Sequence, residues 1–215
     1  MRYKYVIFDL DGTILDTLDD LADATNAALA SMGYPKRTRD EVRMFVGNGI
    51  RKLIERATPD GISEEDTVKT HEAFTAYYSV HCKDKTKPYD GIPELVAELR
   101  ENGIRSAVVS NKADYAVKAL CEEYFGTLFD ISIGEREGIR KKPAPDSVLE
   151  VMRLMGADAE HTIYIGDSDV DIMTAKNSGI GCIGVSYGFR GRDFLKEHGA
   201  EVIADTVAEL RELLL

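Results

Sequence analysis

The sequence predicts an α/β protein in which a parallel sheet is covered by helices on both faces. Three observations predict it: short, nearly continuous apolar runs recur along the chain, a polar or glycine cluster closes each run, and patterns with helical spacing lie between them. The apolar runs are residues 5–8, 106–109, 131–133, 162–165 and 182–185. Strand–helix alternation with right-handed crossovers indicates a Rossmann-like core of three layers.

The helical patterns between these runs end at glycines. Apolar residues from Ile92 to Leu99 share one helical face, and Gly103 follows as the predicted end of that helix. Similar stripes stop before Gly156 and Gly179.

Residues 16–82 interrupt the alternation. The segment carries apolar stripes at helical spacing on both sides of Gly47-Asn48-Gly49, and a capping-box-like helix start at residues 63–66. It has no convincing strand pattern, and a crossover between strands needs far fewer residues. We therefore expect a core of residues 1–15 and 83–215 and an inserted all-helical lobe of residues 16–82.

Composition narrows the class of protein. Among 215 residues, 44% are hydrophobic and 30% are charged, which is typical of a globular chain. Lys and Arg number 27 against 38 Asp and Glu, a net charge of −11, so we expect no nucleic-acid and no membrane partner. Three widely separated cysteines fit reduced thiols. We expect a cytoplasmic protein, either a monomer or a weak homodimer.

Two carboxylates directly follow the first apolar run. Asp9 and Asp11 stand at i and i+2 on extended backbone, so their side chains point to one side at the carboxyl end of a strand. Like charges this close repel each other unless a metal ion binds or one of them is protonated. The alternative is an Asp-rich turn or part of a calcium loop, although a calcium loop follows a helix rather than a strand.

Three further strand ends supply complementary groups. Ser110, Asn111 and Lys112 offer a hydroxyl and N–H groups at a predicted helix start, which suits an anion, although an ordinary N-cap is the alternative. Residues 140–145 place cations before a helix, or form a solvated basic loop. Residues 166–171 form a second acidic cluster, or an acidic helix N-terminus. Open α/β folds bind ligands at this edge of the sheet, so together the four sites predict one active site.

These four motifs resemble those of the haloacid dehalogenase superfamily of phosphatases. The motifs that match, in that family's order, are Asp9-x-Asp11-Gly12-Thr13, Ser110-Asn111, Lys142-Pro143-x-Pro145 and Gly166-Asp167-Ser168-x-x-Asp171. The helical insert falls where that family carries a small cap. Dehalogenases and phosphonatases of the superfamily lack the carboxylate found here at Asp11, so the resemblance favours phosphate-ester chemistry.

The resemblance implies a role for each matched residue. Asp9 would be the nucleophile that forms an aspartyl-phosphate, and Asp11 would protonate the leaving oxygen and then deprotonate water. Mg²⁺ would be the cofactor, held by the Asp9 carboxylate, the Asp11 backbone carbonyl and Asp167, with Asp171 supporting them. The groups expected to bind the phosphate of the substrate, a small phosphorylated metabolite, are Ser110, the Asn111 N–H, Lys142 and Thr13.

Part of the insert is similar to the cap of phosphoglycolate phosphatases. Residues 45–53 of the insert carry this similarity, and two stretches outside the insert, residues 142–146 and 187–190, also resemble phosphoglycolate phosphatases. Gly47 and Gly49 allow close backbone approach, and Arg51 would face a substrate carboxylate, unless this stretch is only a helix–turn–helix joint with solvated basic residues. Phosphoglycolate is therefore the substrate hypothesis, beside sugar phosphates, nucleotides and pyrophosphate.

Two other functions stay open at this point. A phosphosugar mutase of the same fold would share Asp9 and Asp11 but return the phosphate to a sugar. A non-catalytic binder of phosphorylated ligands would have no use for the second carboxylate at Asp11.

Overall fold

The structure, a computed structural model, describes residues 2–215, which divide into two units. The first unit holds residues 2–15 and Pro88–Leu215, and the second holds Asp16–Lys87. Strands and helices alternate through the first unit, and the second unit is almost wholly helical.

The strands are short and mostly apolar. In chain order they are Tyr5–Phe8 (β1), Leu15–Asp16 (β2), Lys87–Pro88 (β3), Arg105–Ala113 (β4), Ile131–Glu135 (β5), Thr162–Gly166 (β6), Gly181–Val185 (β7) and Val202–Ala204 (β8). Within residues 2–215, six of them form one sheet in the order β5-β4-β1-β6-β7-β8, while β2 pairs with β3. All neighbouring pairs in the large sheet are parallel.

The helices of the described chain fall into two groups. The second unit contains Leu18–Ser31 (α1), Arg39–Phe45 (α2), Ile50–Ala57 (α3) and Glu64–His81 (α4). The first unit contains Ile92–Glu101 (α5), Asp114–Phe125 (α6), Asp146–Met155 (α7), Asp169–Asn177 (α8), Arg192–Glu197 (α9) and Val207–Leu214 (α10).

Strand β1 is buried on both faces, which explains its continuous apolar sequence. Val6 and Phe8 point into one core cluster with apolar residues of α5 and α6, and Ile7 points into the opposite cluster with residues of α7. The predicted three-layer α/β fold is therefore confirmed.

Strand β1 is also the point where the strand order reverses. The chain leaves β1 for β4 and β5 on one side, then returns to β6 on the other. Such a reversal opens a crevice outside the carboxyl ends of the strands, and loops that follow β1, β4 and β6 converge there.

The second unit spans Asp16–Lys87, whereas the lobe expected from the sequence covers residues 16–82. The buried carboxylate of Asp20 in α1 accounts for the longer segment. It accepts hydrogen bonds from the backbone N–H groups of Lys85 and Thr86, at 3.0 and 2.8 Å. These bonds join the end of the segment to its first helix.

Local signals explain the helix boundaries in this unit. Thr38 caps α2 and exchanges hydrogen bonds with Glu41, and the Ser63 hydroxyl accepts from the Asp66 N–H at the start of α4. The stripe predicted around Gly47-Asn48-Gly49 is two separate helices, α2 and α3. Gly47 and Gly49 take positive φ values of 117° and 85° between them.

No helix among residues 2–215 is long and apolar enough to cross a membrane.

Candidate active site

Side chains from three loops meet at the carboxyl edge of the sheet. Asp9 directly follows β1, Asp167 directly follows β6, and Lys142 lies between β5 and α7. The Lys142 ammonium is 2.8 Å from Asp9 Oδ1 and 2.7 Å from Asp171 Oδ1. Residues more than 130 positions apart in the chain thus form one buried cluster, as the motif spacing predicts.

Two glycines let the loops after β1 and β6 approach each other. Gly12 has a φ of 85°, and a Cβ added to it would lie 2.8 Å from Asp167 Cγ. A Cβ on Gly188 would lie 2.5 Å from Asp167 Cβ. Any side chain at either position would therefore displace the Asp167 carboxylate.

A bulge at the end of β4 carries Ser110, Asn111 and Lys112. Val109 pairs with Ile133 and Ala113 pairs with Glu135, so three residues of β4 oppose a single residue of β5. The prediction that a helix starts at residues 110–112 is wrong, because this bulge extends the strand and α6 begins only at Asp114. Bulges redirect side chains, and they are common beside active sites.

Asn111 holds the backbone of Lys142. Its Nδ2 donates to the Lys142 carbonyl at 3.0 Å, and its Oδ1 accepts from the Lys142 N–H at 2.8 Å. This reciprocal pair is buried, so it fixes the lysine loop against β4. The Asn111 side chain thus positions Lys142, and the predicted contact of its backbone N–H with phosphate stays a prediction.

Tyr164 supports the Lys142 ammonium from inside the sheet. Its hydroxyl is 2.9 Å from Lys142 Nζ and 3.2 Å from the Val109 carbonyl. The hydroxyl donates to that carbonyl and accepts from the ammonium, so Lys142 Nζ has three oxygen partners, one for each of its protons.

Burial and neighbouring charge change the pKa values of the carboxyl groups in this cluster. Burial first, and then the Asp171 charge, raise the pKa of Asp9 to about 7. Burial, followed by the charges of Asp171 and Asp9, raises the pKa of Asp167 well above its usual value. The cluster thus holds more negative charge than the Lys142 ammonium neutralises.

The pKa of Lys142 shifts in the opposite sense from the one burial alone would produce. Burial disfavours the charged ammonium, but the carboxylates of Asp171 and Asp9 outweigh it and raise the pKa of Lys142 well above its usual value. Lys142 therefore stays positively charged at neutral pH.

Asp11 has its own lysine. Lys112 Nζ donates to Asp11 Oδ1 at 2.8 Å, and their side chains are 3% and 14% exposed. Sequence reasoning noted Lys112 only as a neighbour of Ser110, and it missed this pairing and Tyr164 altogether. The available signal was a lysine three positions after the apolar run Ala107-Val108-Val109.

The cluster fits a hard divalent cation. Asp9, Asp167 and Asp171 each offer a carboxylate oxygen, and the three oxygens lie within 4.8 Å of one another. Carboxylate oxygens are the ligands that Mg²⁺ prefers, and a cation would offset the repulsion that raises these pKa values. Both oxygens of Asp171 already have partners, Lys142 at 2.7 Å and the Ser168 hydroxyl at 2.6 Å. Asp171 is therefore better placed to hold its neighbours in position than to be a direct ligand of the cation.

The other predicted site residues lie in different surroundings. The Ser110 hydroxyl is largely buried and accepts from the Lys112 N–H at 3.2 Å. The Thr13 hydroxyl is fully buried and has no hydrogen-bond partner within residues 2–215. Gly49 and Arg51 belong to the second unit, where the Arg51 guanidinium contacts Glu55 at 2.9 Å and Glu64 at 2.6 Å. Their predicted roles in substrate binding stay predictions.

The fold and the site together define an α/β protein with a buried acidic cluster at the carboxyl edge of a parallel sheet. Residues 6–185 match the family model described as haloacid dehalogenase-like hydrolase. The chain belongs to the haloacid dehalogenase-like hydrolases, and the predicted resemblance is confirmed.

Three relatives illustrate this membership. Phosphoglycolate phosphatase 1 of Pseudomonas aeruginosa is 34% identical over 96% of this chain and 78% of its own length. The N-acetylmuramic acid 6-phosphate phosphatase of the same species is 31% identical over 100% of this chain and 96% of its own length. A similar crystal structure comes from Lactobacillus delbrueckii subsp. bulgaricus and is named provisionally as a phosphoglycolate phosphatase. It is 39% identical in sequence, the match covers 100% of this chain and 99% of that chain, and the TM-score is 0.95. The predicted enzyme class, a phosphoric monoester hydrolase, is confirmed.

Proposed function

We propose that this protein hydrolyses a small phosphomonoester through an aspartyl-phosphate on Asp9, with Mg²⁺ as cofactor and 2-phosphoglycolate as the preferred substrate. The observation that carries the proposal is the pairing of Asp9 with Lys142 and of Asp11 with Lys112, each at 2.8 Å, beside the acidic cluster. Two carboxyl groups with separate cations suit two separate roles, nucleophile and acid–base.

The first half-reaction transfers the phosphoryl group to Asp9. A carboxylate oxygen of Asp9 attacks phosphorus, and the phosphorus–oxygen bond to the leaving group breaks as the new bond forms. Lys112 donates to Oδ1 of Asp11, so the proton for the departing oxygen resides on the other carboxyl oxygen. Lys142, against Asp9, neutralises charge on the transferring group.

The second half-reaction returns the enzyme to its starting state. Water attacks phosphorus while Asp11 takes its proton, and the bond between phosphorus and Asp9 breaks, which releases phosphate and a free Asp9 carboxylate. Asp9, Asp167 and the Asp11 carbonyl would hold the metal, with Asp171 behind them. When bound, Mg²⁺ would supply positive charge that offsets the repulsion between these carboxylates and the substrate.

Replacing the nucleophile tests the mechanism. Asp9→Asn is expected to lower kcat by at least about 10³-fold, since the amide cannot form the phosphoenzyme, while its melting temperature stays close to that of the unchanged protein. Asp158→Asn is the matched control: its side chain is 56% exposed and pairs with His161, and its kcat should stay within about twofold. Acid-quenched enzyme should carry one phosphoryl group on the peptide that contains Asp9. Turnover by Asp9→Asn comparable to the control would exclude this nucleophile.

A substrate panel tests the specificity. The kcat/KM values for 2-phosphoglycolate, N-acetylmuramic acid 6-phosphate, a hexose phosphate, a nucleotide and pyrophosphate are compared under one set of conditions. A preference of tenfold or more for another substrate, about 1.4 kcal/mol, would remove the phosphoglycolate proposal and leave the phosphatase in place. Interconversion of sugar phosphates without net phosphate release would instead identify a mutase.

A further inference from the structure

Lys112 is a second buried cation at the site, and the proposed mechanism uses only its contact with Asp11. Its side chain is 3% exposed, the same fraction as that of Lys142. The two ammonium groups have different neighbours, since Lys142 contacts Asp9 and Asp171 while Lys112 contacts Asp11. Burying an ammonium group this deeply costs free energy unless the group is paired and hydrogen-bonded.

The bulge in β4 is what brings Lys112 to Asp11. Gly134 lies opposite the bulge, and a Cβ there would lie 2.5 Å from Asp114 Cα. The Asp114 carboxylate accepts a hydrogen bond from the Gly134 N–H at 2.9 Å, which fixes the bulged segment against β5. The bulged segment that carries Lys112 is thereby held against β5, and the ammonium reaches Asp11 from strand backbone rather than from a loop.

Asp11 marks the place of the leaving group. If Asp11 protonates the ester oxygen, that oxygen lies within hydrogen-bond reach, about 2.7–3.0 Å, of one Asp11 oxygen. Lys112 Nζ lies 2.8 Å from the other. The ammonium is therefore separated from the ester oxygen by two hydrogen bonds and one carboxyl group. A negative group attached one carbon from the ester oxygen spans most of this gap.

We propose that Lys112 binds an anionic group of the leaving alcohol and so selects esters of 2-hydroxy carboxylates over neutral esters of the same size. This inference rests on the proposed phosphatase function and names the chemistry that recognises its substrate. An acidic protein with four carboxyl groups at one site would otherwise repel an anionic leaving group. A paired, buried ammonium binds such a group and rejects an uncharged analogue.

Two substrates and three variants test the proposal. 2-Phosphoglycolate is compared with 2-hydroxyethyl phosphate, which has the same chain length and no carboxylate. Lys112→Gln keeps a hydrogen-bond donor for Asp11 without the charge, and Lys112→Met removes both. Lys141→Gln is the matched control, because Lys141 is adjacent in sequence to Lys142, is 37% exposed and pairs with Glu135.

The ratio of kcat/KM between the two substrates is the decisive quantity. In Lys112→Gln it should fall about 10- to 100-fold, through a higher KM for phosphoglycolate. Any loss of rate that comes through Asp11 affects both substrates and therefore cancels in the ratio. Lys112→Met should lose rate with both substrates and show the same fall in the ratio. Lys141→Gln should leave the ratio unchanged.

A binding measurement gives a readout that does not depend on turnover. In an Asp9→Asn background, calorimetric binding of phosphoglycolate should weaken about 10- to 100-fold on adding Lys112→Gln, and binding of 2-hydroxyethyl phosphate should not. Equal losses for both ligands would show that Lys112 acts only through Asp11, which overturns the inference and leaves the proposed function intact. If the unchanged enzyme hydrolyses both esters without preference, the inference and the phosphoglycolate proposal both fail, while the phosphatase activity stands.

Discussion

The raised pKa of Asp9 predicts that Mg²⁺ binding to this protein is strongly pH-dependent near neutrality. A metal ion binds the carboxylate and not the carboxylic acid, so binding must release the proton that burial and Asp171 hold on Asp9. With a pKa of about 7, Asp9 is about one-tenth ionised at pH 6 and about nine-tenths ionised at pH 8. The apparent Kd should therefore fall about tenfold between these pH values from Asp9 alone. Asp167, whose pKa is also raised, changes it in the same direction.

Calorimetric titration of EDTA-treated protein with MgCl₂ at constant ionic strength measures this effect. Repeating the titration in buffers with different ionisation enthalpies counts the protons released, which should be greatest near pH 6 and decline towards pH 8. In Asp9→Asn the part of the pH dependence centred near 7 should disappear, although binding is weaker throughout. An apparent Kd that changes less than about twofold from pH 6 to 8 would refute the account of the acidic cluster.

The same shift determines how the stability of the metal-free protein depends on pH. The pKa of Asp9 is higher in the folded state than its ordinary value near 3.8, so between about pH 4 and 7 the folded state binds more protons than the unfolded state. The free energy of unfolding should therefore fall as pH rises through this window. Added Mg²⁺ should raise the melting temperature more at pH 8 than at pH 6.

Two further predictions concern the packing of the site. Gly12→Ala should lower the free energy of unfolding in urea by about 1–3 kcal/mol more than Gly33→Ala does. Both glycines have positive φ, but of the two added Cβ atoms only the one at position 12 would contact another residue, Asp167. Equal losses would contradict the close packing described here. Tyr164→Phe removes one oxygen partner of Lys142 and should lower kcat about tenfold with little change in KM. The control, Tyr5→Phe, loses an exposed hydrogen bond to a carbonyl and should not change kcat. An unaltered kcat in Tyr164→Phe would show that Lys142 does not need this support.

The central strands β4, β1 and β6 could be predicted from sequence because each is buried on both faces. Burial of this kind demands consecutive apolar residues, as in Val6-Ile7-Phe8, and leaves a signal that needs no knowledge of neighbours. Strand β8 was not predicted, since its three residues at the sheet edge carry too short a pattern to separate from a loop. Helices α9 and α10, on either side of β8, were likewise missed.

The bulge in β4 could not be predicted from its own residues. Its geometry depends on Gly134 in the neighbouring strand, where no side chain blocks the bulged backbone. A local reading of Ser110-Asn111-Lys112 therefore placed a helix start where the strand continues. The same limit hid the contact between Lys112 and Asp11, which are separated by 101 positions in the chain.

Arg51 shows a different limit of sequence reasoning. Its charge and its place beside Gly49 predict that it faces a substrate carboxylate, but the structure gives its guanidinium two carboxylates of its own unit, Glu55 and Glu64. Exposed ion pairs of this kind contribute little to stability, so they can exchange for another anion. Arg51 thus keeps its predicted role only if a substrate competes successfully with these two residues.

The two buried lysines, Lys142 and Lys112, contact different carboxyl groups, and the proposed mechanism gives them different roles. Lys142 contacts Asp9 and Asp171, two members of the cluster that fits a cation. In the proposed mechanism its charge therefore acts on the phosphoryl group, which every substrate shares. Lys112 contacts Asp11. In the proposed mechanism the leaving group departs beside Asp11, so the charge of Lys112 acts on the part in which substrates differ. Loss of Lys142 should therefore slow hydrolysis of all esters alike, whereas loss of the Lys112 charge should alter their order. A site with a single lysine between the two carboxyl groups would not permit this separation, because any change in its charge would affect transfer and selection together.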